Sequence, residues 1–249
     1  MTLGYIDWNS HLLSDAHDIA EDPKKTIFAL SYLYDRFQID TFSMMPTFHS
    51  RIDSVSSFLI RRDKAIHGLM EASASTQSPI KILSGASVML DEGLYEIQNL
   101  KKLTVPFGIN RYLPLQLPIS EHADWIDYEL NRILYRADLK ILFLSFETCC
   151  ILYPESVIEK FTRISNSIYQ FSYQSITNPK IRRVMAMLLH QNSTVLLGTS
   201  LNFSEKVYHY DFQYYLDTAK EYFSAADYAV LMKSNQRLPH KHAKLHLLG

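Results

Sequence analysis

Short apolar runs with strand character alternate with amphipathic stretches along nearly the whole chain. Residues 4–8 predict a first strand. Asp22-Pro23 then marks a helix start, because an acidic N-cap satisfies a free N–H and proline lacks one to lose. Behind it Ile27, Leu30, Leu33, Tyr34 and Phe37 fall on one face. Residues 40–45 predict a second strand, ended by Pro46, and 52–70 a long amphipathic helix. A Ser/Thr/Pro-rich linker leads to a third strand at 80–86, with a helix expected over 90–103. Strands follow at 112–117, 140–146, 168–172 and 194–198, the last the most strand-like run of all. Helices are expected at 125–135, at 154–164 opened by Pro154, at 179–189 opened by Pro179, and at 212–223 and 226–232.

That makes seven strands, each followed by helical material, with no internal repeat and no clear domain break. Such alternation implies a parallel sheet with helices outside it. At 249 residues, one closed or nearly closed (β/α)7 barrel is the economical α/β solution, and an open doubly wound sheet is the alternative. A single domain is expected over 1–238, with 239–249 a tail whose His240, His242 and His246 are read as solvated rather than metal-binding. In a barrel, function belongs at the C-terminal ends of the strands. The residues there are Asn9, His11, Thr47, Ser87, Gln116, Ser145, Ser172, Thr199, Ser200 and Asn202, which are small, polar and almost without charge.

Composition narrows the function classes. A net charge of −1 without clustered Lys or Arg argues against a nucleic-acid or membrane-surface partner. No signal peptide is expected, and the apolar window 141–153 is too short to span a bilayer and is broken by Glu147. Cys149 and Cys150 are adjacent, a poor geometry for a disulfide, so a reducing cytoplasm is expected.

The strand ends carry a resemblance. Ile6-Asp7-Trp8-Asn9-Ser10-His11-Leu12-Leu13, with Asp18 and Ala20 behind it, parallels I-D-x-H-x-H-x-L followed by an acid and a small residue. Met44-Met45-Pro46-Thr47 falls on A-T-P-H, Ile82-Leu83-Ser84-Gly85-Ala86-Ser87 on I-L-x-G-x-E, and Tyr112 to Pro118 on Y-L-L-I-E-F-P. Leu144-Ser145-Phe146-Glu147-Thr148 falls on A-H-P-E-R, Gln170-Phe171-Ser172 on Q-x-N, and Thr199-Ser200-Leu201-Asn202 on S-D-A-H. In this order and spacing the chain resembles the PHP (polymerase and histidinol phosphatase) superfamily. Within it, the resemblance is to the manganese-dependent bacterial protein tyrosine phosphatases of capsular and extracellular polysaccharide clusters.

The resemblance implies a distorted seven-stranded barrel and, in active members, metal ions held by imidazoles and carboxylates at these positions. Here the histidine positions hold Asn9, Thr47, Ser145 and Asn202, and the two central acids are Ser87 and Ser200. Thr148 stands where arginine is expected, and Gln116 where the fourth strand has glutamate. Only His11 and Asp18 persist as metal-binding candidates, too few for a cluster of hard divalent ions. Clustered carboxylates without cations would repel, so joint loss of acids and imidazoles is physically coherent. The expectation is therefore a pseudo tyrosine phosphatase with no cofactor, binding a tyrosine kinase or polysaccharide-assembly protein. The alternative is a residual phosphoesterase using manganese or another divalent ion on His11, Asp18 and Glu147, with His17 or His49 substituting.

Other chemistries fit less well. A structural, hydrogen-bonded role for His11 is favoured over ligation. Glu147 is open between a buried acid of raised pKa and a surface or capping role. A cysteine phosphatase needs arginine six residues after its nucleophile, and Glu155 and Ser156 stand there. Gly85 to Met89 and Gly198 to Asn202 begin like nucleophile elbows but lack the final glycine. The tyrosine-rich run 207–215 reads as a packed aromatic helix with its approach loop rather than a kinase-tail mimic. Arg61-Arg62 and Arg182-Arg183 read as solvated helix faces.

Overall fold

The computed structural model describes residues 4–13, 22–135, 139–201 and 208–236. His17, Asp18, Asn202 and the expected tail lie outside the described residues. The chain runs β1 (Tyr5–Ser10), α1 (Pro23–Phe37), β2 (Ile39–Met44), β3 (Thr47–Phe48) and α2 (Val55–Thr76). Next come β4 (Lys81–Ser84), β5 (Ser87–Met89), two 3-10 turns at Leu94–Glu96 and Leu100–Leu103, β6 (Val105–Phe107) and β7 (Asn110–Gln116). Then follow α3 (Asp124–Leu134), β8 (Lys140–Leu144), α4 (Phe146–Leu152), α5 (Glu155–Thr162) and β9 (Ile168–Ser172). A 3-10 turn at Tyr173–Thr177, α6 (Pro179–His190), β10 (Thr194–Gly198), α7 (Phe212–Tyr222) and α8 (Ala225–Asn235) complete the described fold.

Seven parallel strand positions follow one another in sequence order. β2 and β3 are halves of one strand broken at Met45-Pro46, where proline cannot donate to a ladder. β4 and β5 are halves of the next, broken at Gly85-Ala86. β2 pairs with β1 and β4, β3 with β5, and β5 with β7; β8, β9 and β10 then continue the sheet. Only β6 runs antiparallel, as a hairpin arm on the start of β7. No ladder joins β10 back to β1 among the described residues. Two backbone bonds bridge that seam instead, Ser200 N–H to Asn9 O at 2.9 Å and His11 N–H to Leu201 O at 3.0 Å.

Alternation along the strands sorts the core into two layers. Leu142, Leu144, Ile168 and Leu196 join Ile6, Trp8 and Tyr112 in a cluster made almost wholly of strand residues. Val105 and Phe107 of β6 extend this cluster, the Phe107 ring lying 5.5 Å from Trp8 and 6.1 Å from Tyr112. The intervening residues Ile141, Phe143, Tyr169, Phe171, Val195 and Leu197 belong to the larger layer between strands and helices.

The helix starts obey their caps. Asp22 accepts from Lys24 N–H and Asn178 from Lys180 N–H, each with proline at the start of the helix. Three stretches depart from expectation. Residues 90–103 form two 3-10 turns because Gly93 (φ 82°) and Asn99 (φ 63°) turn left-handed between the buried leucines. α2 continues through the expected linker to Thr76, since Ala72 packs in the core and the Ser75 and Thr76 hydroxyls donate back to Ala72 O. β8 stops at Leu144, and the apolar run continues as α4. The Arg61-Arg62 pair is also less solvated than expected: Arg61 pairs with Asp53, and Arg62 with Asp63.

Gly68 sits inside α2, where a Cβ would meet only Pro23 Cγ at 3.8 Å, an ordinary contact. Gly68→Ala should therefore stabilise the protein by about 1 kcal/mol, because alanine loses less backbone entropy in a helix. Thermal unfolding should show an upward shift of roughly 2–4 °C. An unchanged or lower midpoint would mean that the α1–α2 contact is tighter than this geometry allows.

Candidate functional site

The first strand is irregular where it approaches the barrel mouth. Its register against β2 slips between Asp7 and Ser10, which turns Asp7 towards the seam. Asp7 is fully buried, and its carboxyl accepts from Asn9 N–H at 3.1 Å and Thr199 N–H at 2.8 Å. The Thr199 hydroxyl is a third, short contact on its other oxygen. Asp7 thus supplies across the seam the acceptors that a ladder would have supplied.

Two residues on, the Asn9 side chain bridges three strands. Its Nδ2 donates to Gln170 Oε1 at 3.0 Å and to Ser145 Oγ at 3.3 Å. Gln170 Oε1 also accepts from Ser145 N–H at 2.9 Å, while Gln170 Nε2 donates to Phe171 O at 2.7 Å. These bonds fix both amide orientations, since only an oxygen of Gln170 can accept from the Ser145 N–H. Asn9 Oδ1 is consequently an acceptor, buried and without a partner among the described residues.

The other expected positions make contacts of their own. Ser87 donates through Oγ to Gln116 Oε1 at 3.1 Å, and Thr47 is the register neighbour of Ser87. Ser172 is committed to capping, its Oγ accepting from Ser175 N–H at 3.2 Å. The Glu147 carboxyl accepts from Ser172 N–H at 3.1 Å through one oxygen, and its other oxygen is buried without a partner. Ser200 donates its N–H to Asn9 O, and its Oγ is unpartnered. His11 is half-buried beside the seam, and His49 is half-buried in the loop after β3. Ser145 (φ 48°) and Ser200 (φ 51°), which both bond to Asn9, hold left-handed backbone that serine seldom adopts.

Burial, rather than a neighbouring cation, sets the acids. It pushes the Asp7 carboxyl up to about 6 against the pull of its three hydrogen bonds. It likewise raises Glu147, a half-buried residue in the first turn of α4 with one carboxyl oxygen closed to solvent. The Tyr173 and Tyr210 hydroxyls are unpartnered, and burial first, then the nearby Asp7, drives both well up. Cys149 and Cys150 lie buried in α4, and burial raises both thiols, Cys150 to about 12, far from a reactive thiolate.

The described donors at the strand ends are mostly neutral. Asn9, Ser145, Gln170, Ser87 and Gln116 present hydroxyls and amides, which do not fit a cluster of hard divalent ions that needs carboxylates or imidazoles. Among the described residues, no three His, Cys, Asp or Glu side chains are placed to share a metal. Gln170 and Asp7 were absent from the expected site residues. Both match the strand-end motifs, Asp7 in I-D-x-H-x-H-x-L and Gln170 in Q-x-N, and both are polar inside apolar strand runs, Gln170 between Tyr169 and Phe171 and Asp7 between Ile6 and Trp8.

No described helix is long and apolar enough to cross a membrane. No protein-family model and no curated protein matches the chain. Among solved structures, it superposes with a TM-score of 0.67 and 15% identity, over 92% of each chain, on one from a study of YwqE from Bacillus subtilis and CpsB from Streptococcus pneumoniae. Those proteins are described as metal-dependent tyrosine phosphatases. The chain therefore has the fold of these metal-dependent tyrosine phosphatases, an α/β architecture of the kind that its strand-end motifs implied.

Proposed function

We propose that this protein is a pseudo tyrosine phosphatase: a PHP-type barrel that binds at its mouth without hydrolysing, with a regulatory role in polysaccharide production. The supporting observation is the Asn9–Gln170–Ser145 network. Two positions that fall on metal-binding histidines in the resemblance are here locked to each other by neutral hydrogen bonds. A hydrolytic metal must lower the pKa of a bound water, and neither a serine hydroxyl nor a carboxamide holds such an ion strongly. The two acids described beside the network, Asp7 and Glu147, are each already engaged by backbone N–H groups.

A bacterial tyrosine kinase or a polysaccharide-assembly protein is the partner class that follows from the likeness to tyrosine phosphatases, in the cytoplasm. The competing reading is a residual phosphoesterase on His11 with Asp18, using manganese. It draws support from the phosphatase fold and from His11 standing beside the seam.

Metal analysis of untagged protein, beside a phosphotyrosine-peptide assay with added manganese, separates the two. The expected result is substoichiometric metal and no turnover above buffer. Stoichiometric metal with turnover abolished by His11→Ala would replace the pseudoenzyme with the residual enzyme.

A further inference from the structure

We propose that the outward face of α1 is a docking surface for a partner protein, occupied by an acidic segment that carries apolar anchors. The surface shares no residue with the strand ends, so it stands whether or not the mouth turns over a substrate.

The residues of α1 divide between two faces. Thr26, Ile27, Ala29, Leu30 and Leu33 are buried. Lys24, Phe28 and Tyr32 stand at successive fourth positions on the opposite side, where side chains on neighbouring turns meet, and Lys25 lies beside them. Phe28 is 68% exposed. A lone exposed phenylalanine would mean little, but this one is continued along the surface. Tyr32 is half-buried on the next turn, its ring lies 5.0 Å from that of Tyr208, and Tyr208 is itself exposed. Lys24 and Lys25 are exposed, and among the described residues neither pairs with an acid. Helix stability does not account for them, because cations in a first turn oppose the helix dipole and this first turn has no acid. Residues that break a local rule without a stabilising return are expected at functional positions.

Charge complementarity selects the occupant. Two unpaired lysines beside a strip of aromatic rings match carboxylates set beside apolar side chains, the mix that an acidic protein segment offers. Two lysines fall short of the about four to eight cations of a lipid-recognising cluster. Asp35, two turns beyond Phe28 on the same face, would repel the repeated phosphates of a nucleic acid, which also brings no aliphatic anchor to Phe28. Ile60 of α2 supplies the contrast. It is 71% exposed, but the arginines next to it are already paired, Arg61 with Asp53 and Arg62 with Asp63, so an acid finds no unpaired cation there.

The test is fluorescence anisotropy of a labelled glutamate-rich peptide of about 15 residues, with leucine at every fourth position, titrated with the full chain. Beside it run the same peptide with every glutamate changed to lysine, and vesicles of phosphatidylserine and phosphatidylcholine. The acidic peptide should saturate, and added salt should weaken it. Phe28→Ser, and the double substitution Lys24→Glu with Lys25→Glu, should each weaken it by about fivefold or more. Neither change should harm the fold, since Phe28 is mostly exposed and acids suit the first turn of a helix, so the melting temperature of the double variant should hold or rise. Ile60→Ser should leave binding unchanged. No saturation by the acidic peptide, equal binding of the lysine peptide, a loss in Ile60→Ser as large as in Phe28→Ser, or tighter binding to the vesicles than to the peptide would each overturn the proposal.

Discussion

Asp7→Asn is expected to leave the protein at least as stable as the parent at pH 7.5, and Asp7→Ala to destabilise it by about 3 kcal/mol or more. The contrast follows from what the carboxyl does. It is fully buried, accepts from three donors and faces no cation, so burial holds its pKa at about 6 against the 3.8 of an ordinary aspartate. Between these two values the folded protein keeps a proton that the unfolded chain has released. Stability contributed by this group is thus fully present below about pH 4 and is lost as pH rises through about 6. The shift corresponds to roughly 3 kcal/mol over that window. Asparagine keeps an acceptor for the two N–H groups, places an amide donor beside the Thr199 oxygen, and does not ionise. Alanine leaves all three donors buried and unpaired. Urea unfolding from pH 4 to 8 checks this, taking the difference between parent and Asp7→Asn so that other titrating groups cancel. A difference that stays flat across the window, or an asparagine variant as weak as alanine, would show that the Asp7 charge is solvated or compensated.

Much of the fold was legible because its elements are locally consistent. The strand runs 168–172 and 194–198 coincide with β9 and β10, whose apolar residues are buried on both faces. Helix starts at Pro23 and Pro179 were legible because a capping side chain and a proline stand side by side. The failures have a common cause. Leu90, Leu94, Leu100 and Leu103 are spaced like a helix face, yet their burial is achieved by turns that the tertiary fold imposes. The apolar window 141–153 gave no sign of changing from strand to helix, because the change occurs at Ser145 without a glycine or proline to mark it.

The candidate site divides in the same way. Positions at the strand ends were legible from motif order, since a barrel brings every strand's C-terminus to one face. Their partnerships were not. Asn9 and Gln170 are 161 residues apart, and nothing local distinguishes an amide that bonds across a barrel from one facing water. Ser145 and Ser200 add a physical point about such a site. Their left-handed backbone persists where the resemblance places a histidine and an aspartate, although serine has no intrinsic liking for it. The backbone there is therefore set by β8, β10 and their connections rather than by the serine side chains.

That seam is also where a single methyl group should do the most damage. A Cβ on Gly198 would stand 2.7 Å from the Asn9 backbone N, 3.0 Å from Asn9 Cβ and 3.0 Å from Asp7 Oδ1. The nearest of these is main chain on the facing strand, so β1 and β10 must separate for the methyl to enter. Separation would lengthen the Ser200–Asn9 and His11–Leu201 bonds and draw Thr199 from Asp7, with no ladder to share the load. Gly198→Ala is therefore expected to cost about 3 kcal/mol or more, at the upper end for overpacking. Gly85→Ala is the matched control. Its Cβ would meet the Met45 sulfur at 2.3 Å, a closer approach on paper, but that atom lies near the end of a flexible side chain that can swing away. Its cost should stay below about 1.5 kcal/mol. Urea unfolding ranks the two variants, and hydrogen exchange locates the damage: amides of β1 and the Ser200 N–H should lose protection in Gly198→Ala, while β8 keeps its own. Equal stability of the two alanine variants would mean that the seam yields as easily as a methionine, and that Asp7 alone holds β1 to β10.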